Sequence, residues 1–286
     1  MAADPTSVDW TVARHASYRL RQTFRYEYAE PITELNHRLV VIPPARFGDQ
    51  RRTYHDLLVE LEEVRLENRV DRFGNVVVEV FAPRVLDAIE FVAEVSVERS
   101  ASELNVLPAG WPPADWLLDP SALTTPDERI QNAAEELSAA AVYGLPLADR
   151  INDWVYGSMT YRNEVTGVRT TAAEALALGS GVCQDYAHVM LAICRAAGLP
   201  SRYVSGHMIG QGGTHAWVEV VLPAEGGRDA VAWAFDPTHA SRVGLGYLTI
   251  AVGRDYADVA PTSGTYRTGG RGRLTTSKQV TLTDVD

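Results

Sequence analysis

Lysine is almost missing from this 286-residue chain: Lys278 stands alone, so 25 of the 26 basic residues are arginine. With 37 acidic residues against those 26, the formal net charge is -11, which argues against a surface built to hold phosphate backbones. Nucleic acid is not an expected partner. Cysteine is nearly as scarce, with Cys183 and Cys194 only, and there is neither a CxxC pair nor an HxxxH spacing. His188, His207, His215 and His239 fall in the same region as Cys183, but without those spacings they make no recognisable zinc set. No metal and no cofactor are expected. Apolar runs never approach the roughly 18 residues of a membrane span, and the opening MAADPTSVDWTVARHAS lacks a basic stretch leading into an apolar one. These absences predict a soluble, cytoplasmic protein without membrane contact. GxGxxG loops and clustered carboxylate pairs are missing too, which removes nucleotide and glycosidase chemistry.

What is present is an ordinary globular composition, 46% hydrophobic and 22% charged, in a chain long enough for two domains. From Tyr18 to Arg99 short β-rich runs alternate with turns. Val76, Val78 and Val80, then Phe91, Ala93, Val95 and Val97, recur at period two, as half-buried antiparallel strands require. DRFGN at 71–75 reads as a hairpin turn, with Gly74-Asn75 expected to supply positive φ. Five prolines between Leu107 and Pro126 mark a connector, ordered in part by Trp111 and Trp116. Beyond it TPDERIQNAAEELSAA reads as a helix capped by Thr125, with Pro126 in its first position. Two further helices follow, over LADRINDWVYGSM and TAAEALALG, and then a helix from Cys183 to Ala197. Strands are expected near 201–209, 214–222, 230–236 and 246–252. The division is therefore an N-terminal β-sandwich-like domain over 1–110, a connector over 111–124, an α+β core over 125–262, and a tail or strand over 263–286.

Within VCQDYAHVMLAICRAAG, Cys183, Ala187, Met190, Leu191 and Cys194 share one helical face. The two cysteines are about 16 Å apart on one helix, too far for a disulfide, so both are thiols. Cys194 reads as core filler. Cys183 lies in the first turn after the glycines of GSG, where unpaired N–H groups and the helix dipole favour a thiolate and can hold an oxyanion. A nucleophilic sulfur needs a proton acceptor. THAWVEVVLPAEGGRDAVAWAFDP reads as a hairpin; with a four-residue loop at Ala224 to Gly227, His215 lies opposite Asp236. That register lets Asp236 take the Nδ1 proton of His215 and leaves Nε2 for the thiol. It also sets Ala216, Val218 and Val220 against Phe235, Trp233 and Val231 on the other face.

These residues carry a resemblance. GVCQDYAH at 181–188, HAWVEV at 215–220 and FDPT at 235–238 resemble the cysteine, histidine and aspartate motifs of the transglutaminase-like superfamily, and LPSRYVSGH at 199–207 resembles its intervening strand, with His207 where tyrosine is frequent. YRLRQTFRYEYAEPI, LVVIPP, DRFGN and GRDYADVAP are similar to a bacterial subfamily that carries a β domain ahead of the core. The resemblance implies a papain-like core with helices packed on an antiparallel sheet, a Cys183, His215, Asp236 triad, and no calcium dependence. It implies cysteine-dependent acyl transfer on peptide or carboxamide bonds through a thioester. Protease or amidase chemistry on a protein or peptide substrate is the first expectation. Transamidation to a small amine acceptor is the second, and a non-catalytic interaction module the third. Gln184 and the Cys183 N–H are expected at the oxyanion site, Trp217 along a substrate channel, and Tyr161 and Asp255 beside the cleft.

Overall fold

The computed structural model describes residues 8–101, 104–107, 114–139, 143–210, 213–224 and 229–286. Its first part is all strand: β1 His15–Glu27, β2 Ile32–Ile42, β3 Arg46–Phe47, β4 Gln50–Val59, β5 Arg65–Val70, β6 Val76–Val85 and β7 Ala88–Ser100. The run DLLVELEEVRLEN divides into β4 and β5, which lie in different sheets. Period-two burial is clear in β1, where Ala16, Tyr18, Leu20, Gln22 and Phe24 all turn inward.

The second part begins with β8 Val106–Leu107, α1 Ala114–Leu118, α2 Glu128–Ser138, α3 Leu145–Ser158, β9 Thr160–Tyr161, α4 Ala172–Leu178, β10 Ser180–Gly181 and α5 Cys183–Ala196. It continues through β11 Ser201–Met208, β12 His215–Pro223, β13 Ala230–Asp236, β14 Ser241–Arg242, β15 Tyr247–Gly253 and α6 Tyr256–Val259. An antiparallel sheet of order β14-β13-β12-β11-β15 forms one layer, with β8 added beside β13. Helix α5 packs against β11 and β12 on one side and against α2, α3 and α4 on the others. Every residue from Asp185 to Arg195 is consequently buried. The sequence showed only one apolar stripe on this helix, because Asp185, His188 and Arg195 interrupt the others; each of the three is buried with hydrogen-bond partners instead.

The start of α2 differs from expectation. Its N-cap is Asp127, whose side chain accepts the Ile130 N–H at 3.0 Å, while the Thr125 hydroxyl is drawn back to the Ser121 carbonyl at 2.9 Å. A carboxylate is the stronger acceptor at a positive helix end, so it takes the cap and leaves Pro126 outside. In the connector, Trp116 is buried against Phe73, ring centroids 5.0 Å apart. Trp111 lies outside the described residues.

The chain then returns to the first part. β16 Thr262–Arg267 pairs with β2, and β17 Arg273–Val285 runs the length of β1. Two sheets result, β17-β1-β7-β4-β3 and β16-β2-β6-β5, with Phe24, Leu39, Val78, Ile89 and Phe91 among the residues buried between them. The β sandwich is thus completed by the C-terminal segment.

Polar side chains fasten the two parts together. Gln50 exchanges two hydrogen bonds with the Thr249 backbone, at 2.8 and 2.9 Å. Asn75 does the same with Val252, both at 2.8 Å. Only Gly74 of the expected Gly74-Asn75 pair has positive φ, at 87°; Asn75 is 1% exposed and serves as this fastener.

Candidate active site

Three neighbouring pieces of chain place Cys183. Gly179 ends α4 in the left-handed region, φ 62°, which any side chain other than glycine would resist. Parallel pairing of β10 with β9 then fixes Ser180 and Gly181 beside Thr160 and Tyr161. Asp185 closes the corner, accepting the Val182 N–H at 2.8 Å and the Thr166 hydroxyl at 2.6 Å. A Cβ on Gly181 would stand 2.5 Å from that carboxylate. Burial raises the Asp185 carboxyl above its usual range, against the pull of these donors. Cys183 is left half-buried at the positive end of α5, its Sγ 4.0 Å from the Thr214 carbonyl. Cys194 is fully buried, and burial pushes its thiol up to about 12.

His215 follows Thr214 directly and opens β12. Its Nε2 is hydrogen-bonded to Asp236 Oδ2 at 2.7 Å, and Cys183 lies near enough to favour its charged form. The expected assignment of the two ring nitrogens is therefore reversed. With Nε2 taken by Asp236, Nδ1 is the ring nitrogen left for Cys183, whose sulfur lies 4.0 Å from the adjoining Thr214 carbonyl.

Register explains the reach. β12 and β13 pair Val218 with Phe235 and Val220 with Trp233, two residues along from the expected alignment. The hairpin closes at Ala224 and Asp229, whose backbones bond at 2.9 Å; the Gly226-Gly227 turn lies outside the described residues. A slip of two preserves faces, whereas a slip of one would exchange them. His215 and Asp236 are consequently diagonal neighbours, still within side-chain reach.

Asp236 is 0% exposed and collects four donors. The Thr238 N–H reaches Oδ1 at 2.9 Å. His215 Nε2 at 2.7 Å, His239 Nδ1 at 2.8 Å and the Tyr247 hydroxyl at 2.8 Å all reach Oδ2. Burial opposes the charge, but these donors outweigh it and hold the carboxyl well below its usual range. Burial likewise drives His215 toward the neutral form; hydrogen bonds to Asp236 and Cys183 overcome it and raise the imidazole to about 9. The ligand atoms of His215, Asp236 and His239 lie within 4.8 Å of one another, at separations set by the hydrogen bonds to the shared oxygen.

A pH dependence follows. Folded His215 holds its proton up to about 9 against an ordinary value of 6.5, so its stabilisation is complete below the unfolded value and disappears as pH rises through the folded one. Stability should fall by about 3 kcal/mol between about pH 6.5 and 9.5, measured by urea unfolding. His215→Gln should flatten this dependence; an unchanged slope in that variant would refute the assignment. Asp236 acts with opposite sign, contributing above its ordinary value and losing its contribution in strong acid.

Tyr161 and Gln184 stay near Cys183, while Trp217 and Asp255 are buried in other contacts. Tyr161 is 49% exposed and within electrostatic range of Cys183, beside the cysteine corner. Gln184 is partly exposed in the first turn of α5. Trp217 is not at a channel wall beside Cys183: it is 1% exposed, with ring centroids 6.2 Å from His215 and 5.5 Å from Tyr247. Its place is beneath the imidazole. Asp255 caps α6 through the Ala257 N–H at 2.8 Å. His188 lies on that side, accepting the Tyr256 N–H at 3.2 Å. Burial lowers both His188 and His207 to about 4.

Sequence reasoning did not assign roles to His239, Tyr247 or Lys278. His239 follows the FDPT motif by one residue, and Tyr247 opens a strand already expected. Lys278 is conspicuous only as the one lysine. It projects from β17 on the same side as Val280 and Leu282, which pack into the core; burial lowers its ammonium while nearby Cys183 supports it.

Two cavities, of about 630 and 620 Å³, lie along the seam between sandwich and core; Cys183 lines neither.

Comparison with known proteins agrees with this architecture. Residues 131–235 match the family described as "Transglutaminase-like superfamily", and residues 18–98 the "Bacterial transglutaminase-like N-terminal region". An uncharacterized protein of Mycobacterium leprae (strain TN) is 38% identical over 129 residues, 42% of this chain and 43% of that protein, so the match spans less than half of that relative. An uncharacterized protein of Mycobacterium tuberculosis (strain ATCC 25618 / H37Rv) is 28% identical over 291 residues, covering 92% of this chain and 91% of that one. Among solved structures, "a Putative Cysteine Protease from Cytophaga hutchinsonii" superposes with a TM-score of 0.75 at 22% identity, over 95% of this chain and 92% of that chain. The likeness is one of fold: an α+β, papain-like core preceded by an antiparallel β domain.

Proposed function

Because the chain belongs to the transglutaminase-like superfamily, we propose that Cys183 is an acyl-transfer nucleophile that cleaves peptide or carboxamide bonds by hydrolysis. One observation carries the reading: His215 Nε2 bonds to Asp236 at 2.7 Å, while the Cys183 sulfur lies 4.0 Å from the carbonyl of Thr214, the residue directly before His215. Asp236 keeps a proton on Nε2 and stabilises the imidazolium, so Nδ1 exchanges its proton with the substrate side. Cys183 Sγ, as thiolate, bonds to the carbonyl carbon and the carbonyl π pair moves to oxygen. First-turn N–H groups of α5 face that oxyanion. When the C–N bond breaks, His215 Nδ1 delivers its proton to the departing amine or ammonia. The thioester remains. Water then gives its proton to Nδ1 while its oxygen bonds to the acyl carbon, and the C–S bond breaks to release the carboxylic acid.

The partial exposure of Cys183 and the exposed Tyr161 ring beside it favour a protein or peptide as acyl donor. The Cytophaga structure is described as that of "a Putative Cysteine Protease", which accords with hydrolysis.

Incubation with p-nitrophenyl acetate and with peptide and cell-wall fragment libraries, each with and without a primary amine, tests the proposal. A burst of p-nitrophenolate, an acetyl group on Cys183 and peptide masses increased by water are expected. Incorporation of the amine in preference to water would reassign the enzyme as a transamidase. Alkylation by iodoacetamide no faster at Cys183 than for a free thiol, with no burst, would refute catalysis and leave a binding module.

A further inference from the structure

Asp236 is held more elaborately than a carboxylate orienting one imidazole requires. Of the four donors it receives, one is the Thr238 N–H that fixes Oδ1, and three converge on Oδ2. His239 comes from the residues after β13, three positions beyond Asp236, and its ring centroid lies 5.4 Å from that of His215. Tyr247 comes from β15, on the far side of the imidazole, with its centroid 5.9 Å from it. The two therefore approach the same oxygen from different elements, flanking the His215 bond.

A carboxylate can rotate about its Cβ–Cγ bond, a soft and roughly two-fold torsion. A single N–H on Oδ1 leaves that rotation partly free. Bonds to Oδ2 from two other elements stop it, and the direction of the lone pair offered to His215 is then fixed. The alternative, that His239 merely ends β13 by packing, accounts poorly for its orientation: its ring is partly exposed, yet Nδ1 points inward at the carboxylate at 2.8 Å. A packing role would not require a nitrogen there.

We propose that His239 is a positioning residue for the reactive pair: its Nδ1–H, together with the Tyr247 hydroxyl, locks Asp236 Oδ2 in the orientation that aims His215 at Cys183. The activity it serves rests on the acyl-transfer reading above, but the positioning does not. His239 touches neither sulfur nor acyl group, so its removal slows the acylation step without weakening the encounter with the acyl donor.

The test compares His239→Ala with His239→Asn, whose side-chain amide can present an N–H near the place of Nδ1. With p-nitrophenyl acetate, the alanine variant is expected to acylate Cys183 about tenfold more slowly at saturation with KM unchanged, while the asparagine variant stays within about twofold of the parent. Proton NMR supplies a readout independent of activity: the His215 Nε2–H bonded to Asp236 should give a slowly exchanging downfield signal in the parent and in His239→Asn, and lose it in His239→Ala. Equal losses in both variants accompanied by a fall in Tm would make His239 structural and overturn the proposal, as would parental rates and an unchanged NMR signal in His239→Ala. A parent that shows the signal but no burst would defeat the acyl-transfer reading alone, and the NMR comparison would still decide the role of His239.

Discussion

Asp236→Asn should lower the rate of Cys183 acylation by about 10³ to 10⁴, the size of effect known when a triad aspartate becomes an amide. The structural reason is that an amide cannot replace this acceptor in either orientation. With its NH₂ toward His215, His239 and Tyr247, three donors meet a donor; with the NH₂ turned the other way, it meets the Thr238 N–H. Each leaves buried polar groups opposed in a site where Asp236 is 0% exposed. The electrostatic effect adds to this. His215 is raised to about 9 against the pull of its own burial, and without the carboxylate that burial would dominate and make the imidazole neutral. Stopped-flow release of p-nitrophenolate measures the rate, and NMR titration of His215 measures the proton. The variant should titrate below the ordinary histidine value; a rate within tenfold of the parent, or a His215 that still titrates near 9, would show that the proposed line of proton transfer is wrong.

The parts of this site that could be read from sequence are those dictated by local chemistry. A glycine-flanked cysteine opening a helix, a histidine opening a strand and an aspartate before proline each announce themselves within a few residues, and α5, β12 and β13 lie where the residue pattern put them. What escaped depends on distance in sequence. The alignment of β12 with β13 turns on how the hairpin closes between Ala224 and Asp229, and composition alone does not choose between two loops that preserve the same faces. Ring orientation at His215 depends on where the Thr214 backbone passes the sulfur. Asn75 looked like a turn residue because its 177-residue-distant partner, Val252, was invisible. Trp217 looked like a channel wall for a similar reason, since its burial is supplied by Tyr247 and Gly206 from other strands. β17 was legible only as a tail or strand, because what makes it a strand is β1, at the opposite end of the chain.

Gly206→Ala should destabilise the protein by about 4 kcal/mol or more, most of the stability of a marginal domain. Gly206 sits opposite His215 in the β11–β12 pair, where the pairing of β11 with β15 is irregular. A Cβ there would stand 2.1 Å from the Leu248 carbonyl oxygen and 2.5 Å from the Trp217 ring. The first obstacle is backbone in a neighbouring strand, so relief requires opening the β11–β15 ladder and leaving buried peptide groups unpaired. The second is no easier to move, because Trp217 lies between His215 and Tyr247. Pushing that ring would disturb the imidazole and one of the donors that hold Asp236, so any folded remainder should also lose acylation. Gly213→Ala is the matched control: it lies two residues before His215, none of the described residues stands within 4 Å of its added Cβ, and its carbonyl remains able to accept from His207. Urea unfolding and soluble yield should show the first variant failing and the second close to the parent. Parental stability in Gly206→Ala would mean that β11 and β15 approach less closely than this architecture requires, and that the support beneath His215 is softer than the site needs.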